Sequence, residues 1–139
     1  MYEISEVDGI LNRDAIERLN GLEPTFPPLV SRHLTDGFWW LAYHPIGVVA
    51  FAGMVPFGIP GIGYLKRCYI APAHRGHGLQ YRLMTARIMK AQQLGWASLV
   101  SDCHEDNEHS ANNFRRAGFT QIFPDQPWYP NSLFWAKSL

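Results

Sequence analysis

From Phe38 to Leu65 the chain carries no Asp, Glu, Lys or Arg, and a run of that length without charge belongs either in a bilayer or in a protein core. Pro45, Gly47, Gly53, Pro56, Pro60 and Gly61 interrupt it. Breakers at such short intervals rule against a membrane span, so the run reads as buried strands: Phe38 to Tyr43 and Gly47 to Val55, with His44-Pro45-Ile46 as a hairpin turn. Trp39 and Trp40 then belong to the core rather than to a ligand platform.

The stretch Cys68 to Met84 sets the next constraint. A short β-branched and aromatic run, Cys68, Tyr69 and Ile70, stops at Pro72, which cannot donate to a ladder, and an apolar helical pattern begins after Gly78. Between them lies Arg75-Gly76-His77-Gly78. Glycines there let consecutive backbone N–H groups converge, and the helix adds its own unpaired donors and the positive end of its dipole. Such a turn holds a phosphate or pyrophosphate. It is neither a P-loop nor a dinucleotide fingerprint, because both spacings are absent.

Pro-x-x-Arg-Gly-x-Gly-Leu, Pro72 to Leu79, resembles motif A of the GNAT superfamily of N-acyltransferases, usually Gln/Arg-x-x-Gly-x-Gly/Ala; Gln80 stands where that family has Gly or Ala. Downstream, Asn107 to Phe119 resembles motif B of the same family, and the likeness covers about Tyr64 to Phe123 in detail. The resemblance implies transfer of an acetyl group from acetyl-CoA to a primary amine, by direct attack in a ternary complex and without a metal. It implies that backbone groups of Cys68, Tyr69 and Ile70 pair with the pantetheine arm and acyl carbonyl. His74, Arg75, Gly76, His77, Gly78, Leu79 and Gln80 then form the phosphate-binding turn. Asn107 either bonds the pantetheine amides or caps its own helix. Asp102 takes the place of the catalytic Glu of the ribosomal-protein N-terminal acetyltransferase branch, or else is a strand-end carboxylate bonding nearby amides. Phe114 occupies the cofactor-side position of the family's proton-donating tyrosine, and a phenyl ring has no proton to give. Tyr64, Tyr129 or water would then protonate the leaving thiolate.

With 139 residues the chain makes one domain, residues 1–139. Twelve basic residues against twelve acidic ones argue against nucleic-acid and membrane partners. Local charge is another matter: Gly37 to Ser101 holds no Asp or Glu, while Lys66, Arg67, Arg75, Arg82, Arg87 and Lys90 all lie there. The region around the glycine turn should carry positive potential, with Arg87 and Lys90 on a solvated helix face. Cys68 and Cys103 do not make a disulfide framework, and an acidic N-terminus without an apolar core gives no signal peptide; the expected compartment is the cytoplasm. Cys103 and His104 are adjacent on a strand and point to opposite faces, which argues against a thiolate couple.

Tyr2 to Val7 reads as a strand, and Asp8 as the cap of a helix carrying Leu11, Ala15, Ile16 and Leu19. A shorter helix follows Pro27-Pro28. Then come a strand at Gly63 to Ile70, the main helix at Gly78 to Gly95, a strand at Trp96 to Cys103, a helix at Asn107 to Ala117, and strands at Phe119 to Phe123 and Ser132 to Lys137. Trp128 and Tyr129, in the loop between those last strands, either line an acceptor pocket or close the core. The expected fold is α/β (α+β): a mixed, mostly antiparallel sheet of six to seven strands with a central parallel pair, flanked by about four helices. The acceptor is a small-molecule or peptide amine, and a homodimer is a possible assembly. The second functional reading is a CoA- or nucleotide-binding sensor module of the same fold, with little or no catalysis.

Overall fold

The computed structural model describes residues 1–139. In chain order the elements are β1 (Glu3–Val7), α1 (Arg13–Gly21), α2 (Ser31–Asp36), β2 (Phe38–His44), β3 (Gly47–Pro56), β4 (Ile62–Ile70), α3 (Leu79–Gln93), β5 (Ser98–His104), α4 (Glu108–Arg116), β6 (Thr120–Ile122) and β7 (Ser132–Ser138). A 3-10 turn, Pro72–His74, lies between β4 and α3. The strands form one sheet in the order β1-β2-β3-β4-β5-β7-β6, antiparallel throughout except for the parallel pair β4 and β5.

The uncharged run supplies β2, β3 and the start of β4, the part of the sheet covered on both sides. Alternate strand residues point to opposite faces, so a strand buried on both has no place for a charge. Trp40, Ala42 and Met54 pack with Leu79 and Leu83 of α3, whereas Trp39, Leu41 and Phe51 pack with Ile16 and Leu19 of α1 and Leu34 of α2. The two tryptophans thus serve two cores, as expected of core residues. No helix is long and apolar enough to cross a membrane.

Two local readings need correction. Asp8 accepts hydrogen bonds from the Ile10 and Leu11 amides, both 2.9 Å, and so caps the turn ahead of α1. The helix begins only at Arg13, and Leu11 is left exposed. Arg87, expected on a solvated face, is 3 % exposed. It follows Leu83 by four residues, hence shares that residue's sheet-facing side. Its guanidinium donates to the carbonyls of Leu83 (Nε, 3.2 Å) and Gly53 (Nη1, 3.3 Å). Lys90, three residues on, pairs with Glu6 at 3.2 Å and lies over the Phe38 ring.

The Gly53 carbonyl sits at a break in the β3–β4 register. Ala52 pairs with Cys68 and Gly53 with Lys66, which leaves Arg67 as an extra residue with φ +32°. This is a β-bulge, and it reverses the alternation of β4. Leu65 and, beyond the bulge, Cys68 and Ile70 all face the α3 side. Arg87 therefore braces the bulge from beneath. Arg87→Ala leaves a cavity and removes the donor from a buried carbonyl, and is expected to cost about 2 kcal/mol or more. Chemical denaturation reads this as a lower midpoint with an unchanged slope.

Candidate active site

The parallel pair is short. β4 and β5 are joined only at Ile62–Ser98, Gly63–Leu99 and Tyr64–Val100, after which β5 continues beside β7 alone. Ser101 Oγ donates to the Leu65 carbonyl at 2.9 Å and closes the last point of contact. Beyond it the strands diverge. The Ala71 amide donates to the Val49 carbonyl, so by ladder alternation Tyr69 points its N–H and C=O toward β3, while Cys68 and Ile70 turn theirs to the open side. Of the three strand residues expected to offer backbone groups, Cys68 turns its N–H and C=O to the open side and Ile70 its N–H, the Ile70 carbonyl being taken by Arg75 Nε. Tyr69 is committed to the ladder, with its ring in the α1/α2 core.

At the end of this gap the chain makes the glycine turn. Gly76 and Gly78 have φ of +83° and +74°, and a Cβ on either would meet only open space. Their requirement is therefore one of backbone conformation. The first helical bond of α3 is Arg82 N–H to Gly78 C=O. Consequently the amides of Gly76, His77, Gly78, Leu79, Gln80 and Tyr81 have no acceptor within the protein. Six successive unpaired donors at the positive end of a helix of about four turns have the chemistry to hold an anion. Arg75 flanks it, its Nε donating to the Ile70 carbonyl at 2.9 Å and its guanidinium over the Tyr69 ring. His77 is exposed at the turn. His74 is instead held by a 3.0 Å hydrogen bond between its Nδ1 and the Tyr2 hydroxyl, and packs against His44, so it ties the 3-10 turn to the chain start.

On the opposite face of the sheet, at the point where the strands part, the Tyr64 hydroxyl donates to Asp102 Oδ1. Trp128 Nε1 donates to the same oxygen at 3.3 Å. Phe57 stacks on Tyr64 and meets Trp128 edge-on, and Trp128 packs against Phe134 with centroids 4.4 Å apart. Burial and the neighbouring Asp102 charge push the Tyr64 phenol far up, so it stays protonated near neutral pH. Oδ2 of Asp102 makes no hydrogen bond within the protein. The arrangement is a half-buried carboxylate held by two donors on one oxygen, with the other oxygen available to accept a proton.

Several sequence candidates are occupied structurally. Asn107 Oδ1 accepts from the Ser110 amide at 3.0 Å and caps α4, the second of its two expected roles. Phe114 is buried, stacked on Trp135 at 5.6 Å and edge-on to Phe119. Cys103 is buried and accepts a hydrogen bond from Trp135 Nε1 at 3.4 Å, while His104 is exposed. Burial pushes the Cys103 thiol up, against a smaller opposing effect of the indole N–H. Cys68 and Cys103 are both free thiols. The bulge at Arg67, the Ser101 tie and the place of Phe57 had no signal in the sequence. Trp128 had one, as an aromatic in a proline-bounded loop. A separate cavity of about 340 Å3, lined by Glu6, Asp8, Leu34, Thr35 and Phe38 among others, lies on the β1 side and includes none of the candidate residues.

The model of the acetyltransferase (GNAT) family matches residues 9–119. An uncharacterized N-acetyltransferase of Schizosaccharomyces pombe is 31% identical over 78 residues, 56% of this chain. The matched region spans 46% of that protein, about half its length. Among solved structures, the ribosomal-protein-S18-alanine N-acetyltransferase of Escherichia coli superposes with a TM-score of 0.81 at 16% identity, covering 99% of this chain and 94% of that one. A GNAT family acetyltransferase of Elizabethkingia anophelis with acetyl-CoA bound gives 0.77 at 16% identity, covering 99% and 98%. At those identities the likeness is one of fold.

Proposed function

Because this chain belongs to the acetyltransferase (GNAT) family, we propose that it transfers an acetyl group from acetyl-CoA to a primary amine by direct attack in a ternary complex. The observation that carries this reading is the alignment of three features along one gap: the six unpaired amides, the open backbone of Cys68 with the Ile70 N–H, and Asp102 where β4 and β5 part. The cradle holds the diphosphate of the donor, with Arg75 beside it. Cys68 and Ile70 offer backbone groups to the pantetheine arm and the acyl carbonyl, giving the donor a place without calling on particular side chains.

The attacking amine nitrogen forms the C–N bond, the C–S bond breaks, and CoA leaves as thiolate. Asp102 accepts the amine proton, which returns through solvent to the thiolate. Tyr64 and Trp128 act as positioning residues, since both hold Asp102 Oδ1 and leave Oδ2 toward the acceptor. No thiol takes part, because Cys103 is buried beneath Trp135 and its neighbour His104 faces away. The reaction is assigned to the cytoplasm, where both cysteines remain reduced.

Release of free CoA from acetyl-CoA with a panel of primary amines tests this. Saturable release in the presence of an amine supports transfer, and acetyl-CoA binding without release from any amine supports the sensor reading instead. Cys103→Ala is expected to retain most activity, and no acetylated protein should accumulate without acceptor. An acetyl group on Cys103, seen by mass spectrometry, would overturn direct attack.

A further inference from the structure

The bulge does more than bend β4. In a regular strand Lys66 and Arg67 would point to opposite faces, but the extra residue brings both to the face that bears Asp102. Lys66 Nζ lies 6.0 Å from the centroid of the Tyr64 ring. Arg67 Nη1 donates to Asn20 Oδ1 at 3.0 Å and its guanidinium lies 5.4 Å from the centre of the Phe26 ring, contacts made with α1 and the loop that follows it. Both side chains are about half buried, and neither is in an ion pair: the pairs in the protein are Arg13–Glu17, Lys90–Glu6 and His104–Asp106. Burial first, and Arg67 second, push the Lys66 ammonium below its ordinary range, with Asp102 opposing from beyond ion-pair distance; burial does the same to Arg67. Two partly desolvated cations with no carboxylate within ion-pair distance are costly unless an anion arrives. The donor's diphosphate does not serve, because its cradle leads into α3 on the other side of the sheet.

We infer that the acceptor is an anionic amine, a primary amine bearing a carboxylate or phosphate a few bonds away. Asp102 faces the nitrogen, and Lys66 and Arg67 face the anion. Opposite charges laid out in this way bind a zwitterion and orient it with the amine toward the gap. The inference rests on the acetyl-transfer reading and narrows its acceptor.

The test uses matched pairs: 3-aminopropionate against its isosteric amide, and O-phosphoethanolamine against ethanolamine. Carboxylate and phosphate arms separate the two sources of the anion. The expected result is kcat/KM about tenfold or more higher for the anionic member of at least one pair, mostly through KM. Lys66→Gln and Arg67→Gln should each shrink that ratio severalfold while acetyl-CoA affinity holds. Calorimetric binding of the same pairs to the CoA-loaded protein is measured alongside. Equal or reversed preference in both arms, in turnover and in binding, overturns the anion site. A binding preference without CoA release from any amine instead upholds the anion site and removes the catalytic reading.

Discussion

Asp102→Asn should lower kcat/KM by about a hundredfold or more with acceptors of high pKa, and by much less with acceptors of low pKa. The substitution keeps an oxygen for Tyr64 and Trp128 to donate to, so the cluster around it stays in place and proton acceptance alone is lost. An amine near pKa ~10.4 is mostly protonated at neutral pH, one near ~8 much less so, and each unit is about 1.4 kcal/mol of deprotonation that the carboxylate must help supply. Rates measured across amines of graded pKa should therefore steepen in the variant, with acetyl-CoA affinity unchanged. A uniform loss across the series would make Asp102 a structural carboxylate, and no loss would place the base elsewhere.

The second large effect is expected at the other end of the gap. Gly78→Val puts a β-branched side chain at φ +74° and must either hold that strain, about 1–2 kcal/mol, or rotate the peptide units on either side. Rotation would break the convergence of the six unpaired amides. Each charge-assisted hydrogen bond lost to the diphosphate is worth about 1.5–3 kcal/mol, so losing two reduces acetyl-CoA affinity by about a hundredfold or more. Calorimetry on the folded variant, with secondary structure checked by circular dichroism, provides the measurement. Undiminished affinity would locate the diphosphate somewhere other than this turn.

Most of the frame is legible in the sequence. The uncharged run had to be buried strand because breakers denied it a helix, and the pairing of Pro72 with Gly76 and Gly78 marked where a strand gives way to a helix. Local chemistry decides such features. The burial of Arg87 is not legible because it depends on a carbonyl 34 residues away, exposed only where β3 and β4 slip register. Leu11 was misread because an Asx-type turn at Asp8 uses up the capping oxygen before the helix starts. In the site, Asp102 and Tyr64 each stood out as a candidate, but the bond between them comes from the parallel register that brings Tyr64 opposite Val100. No spacing along the chain encodes that meeting. Asn107 had two roles open to it, and its Oδ1 takes the local one while Nδ2 has no partner within the protein.

Arg67 is an addition to its strand rather than a displacement of it. The pairs on either side, Gly53–Lys66 and Ala52–Cys68, are successive pairs of an ordinary ladder, so loss of this one residue would leave Cys68 and Ile70 on the α3 side and Tyr69 paired with Phe51. What would go is the local bend and twist that an unpaired residue adds, together with the second cation on the Asp102 face. The open edge would keep its peptide groups. An insertion of this kind can be gained or lost without re-threading the sheet around it.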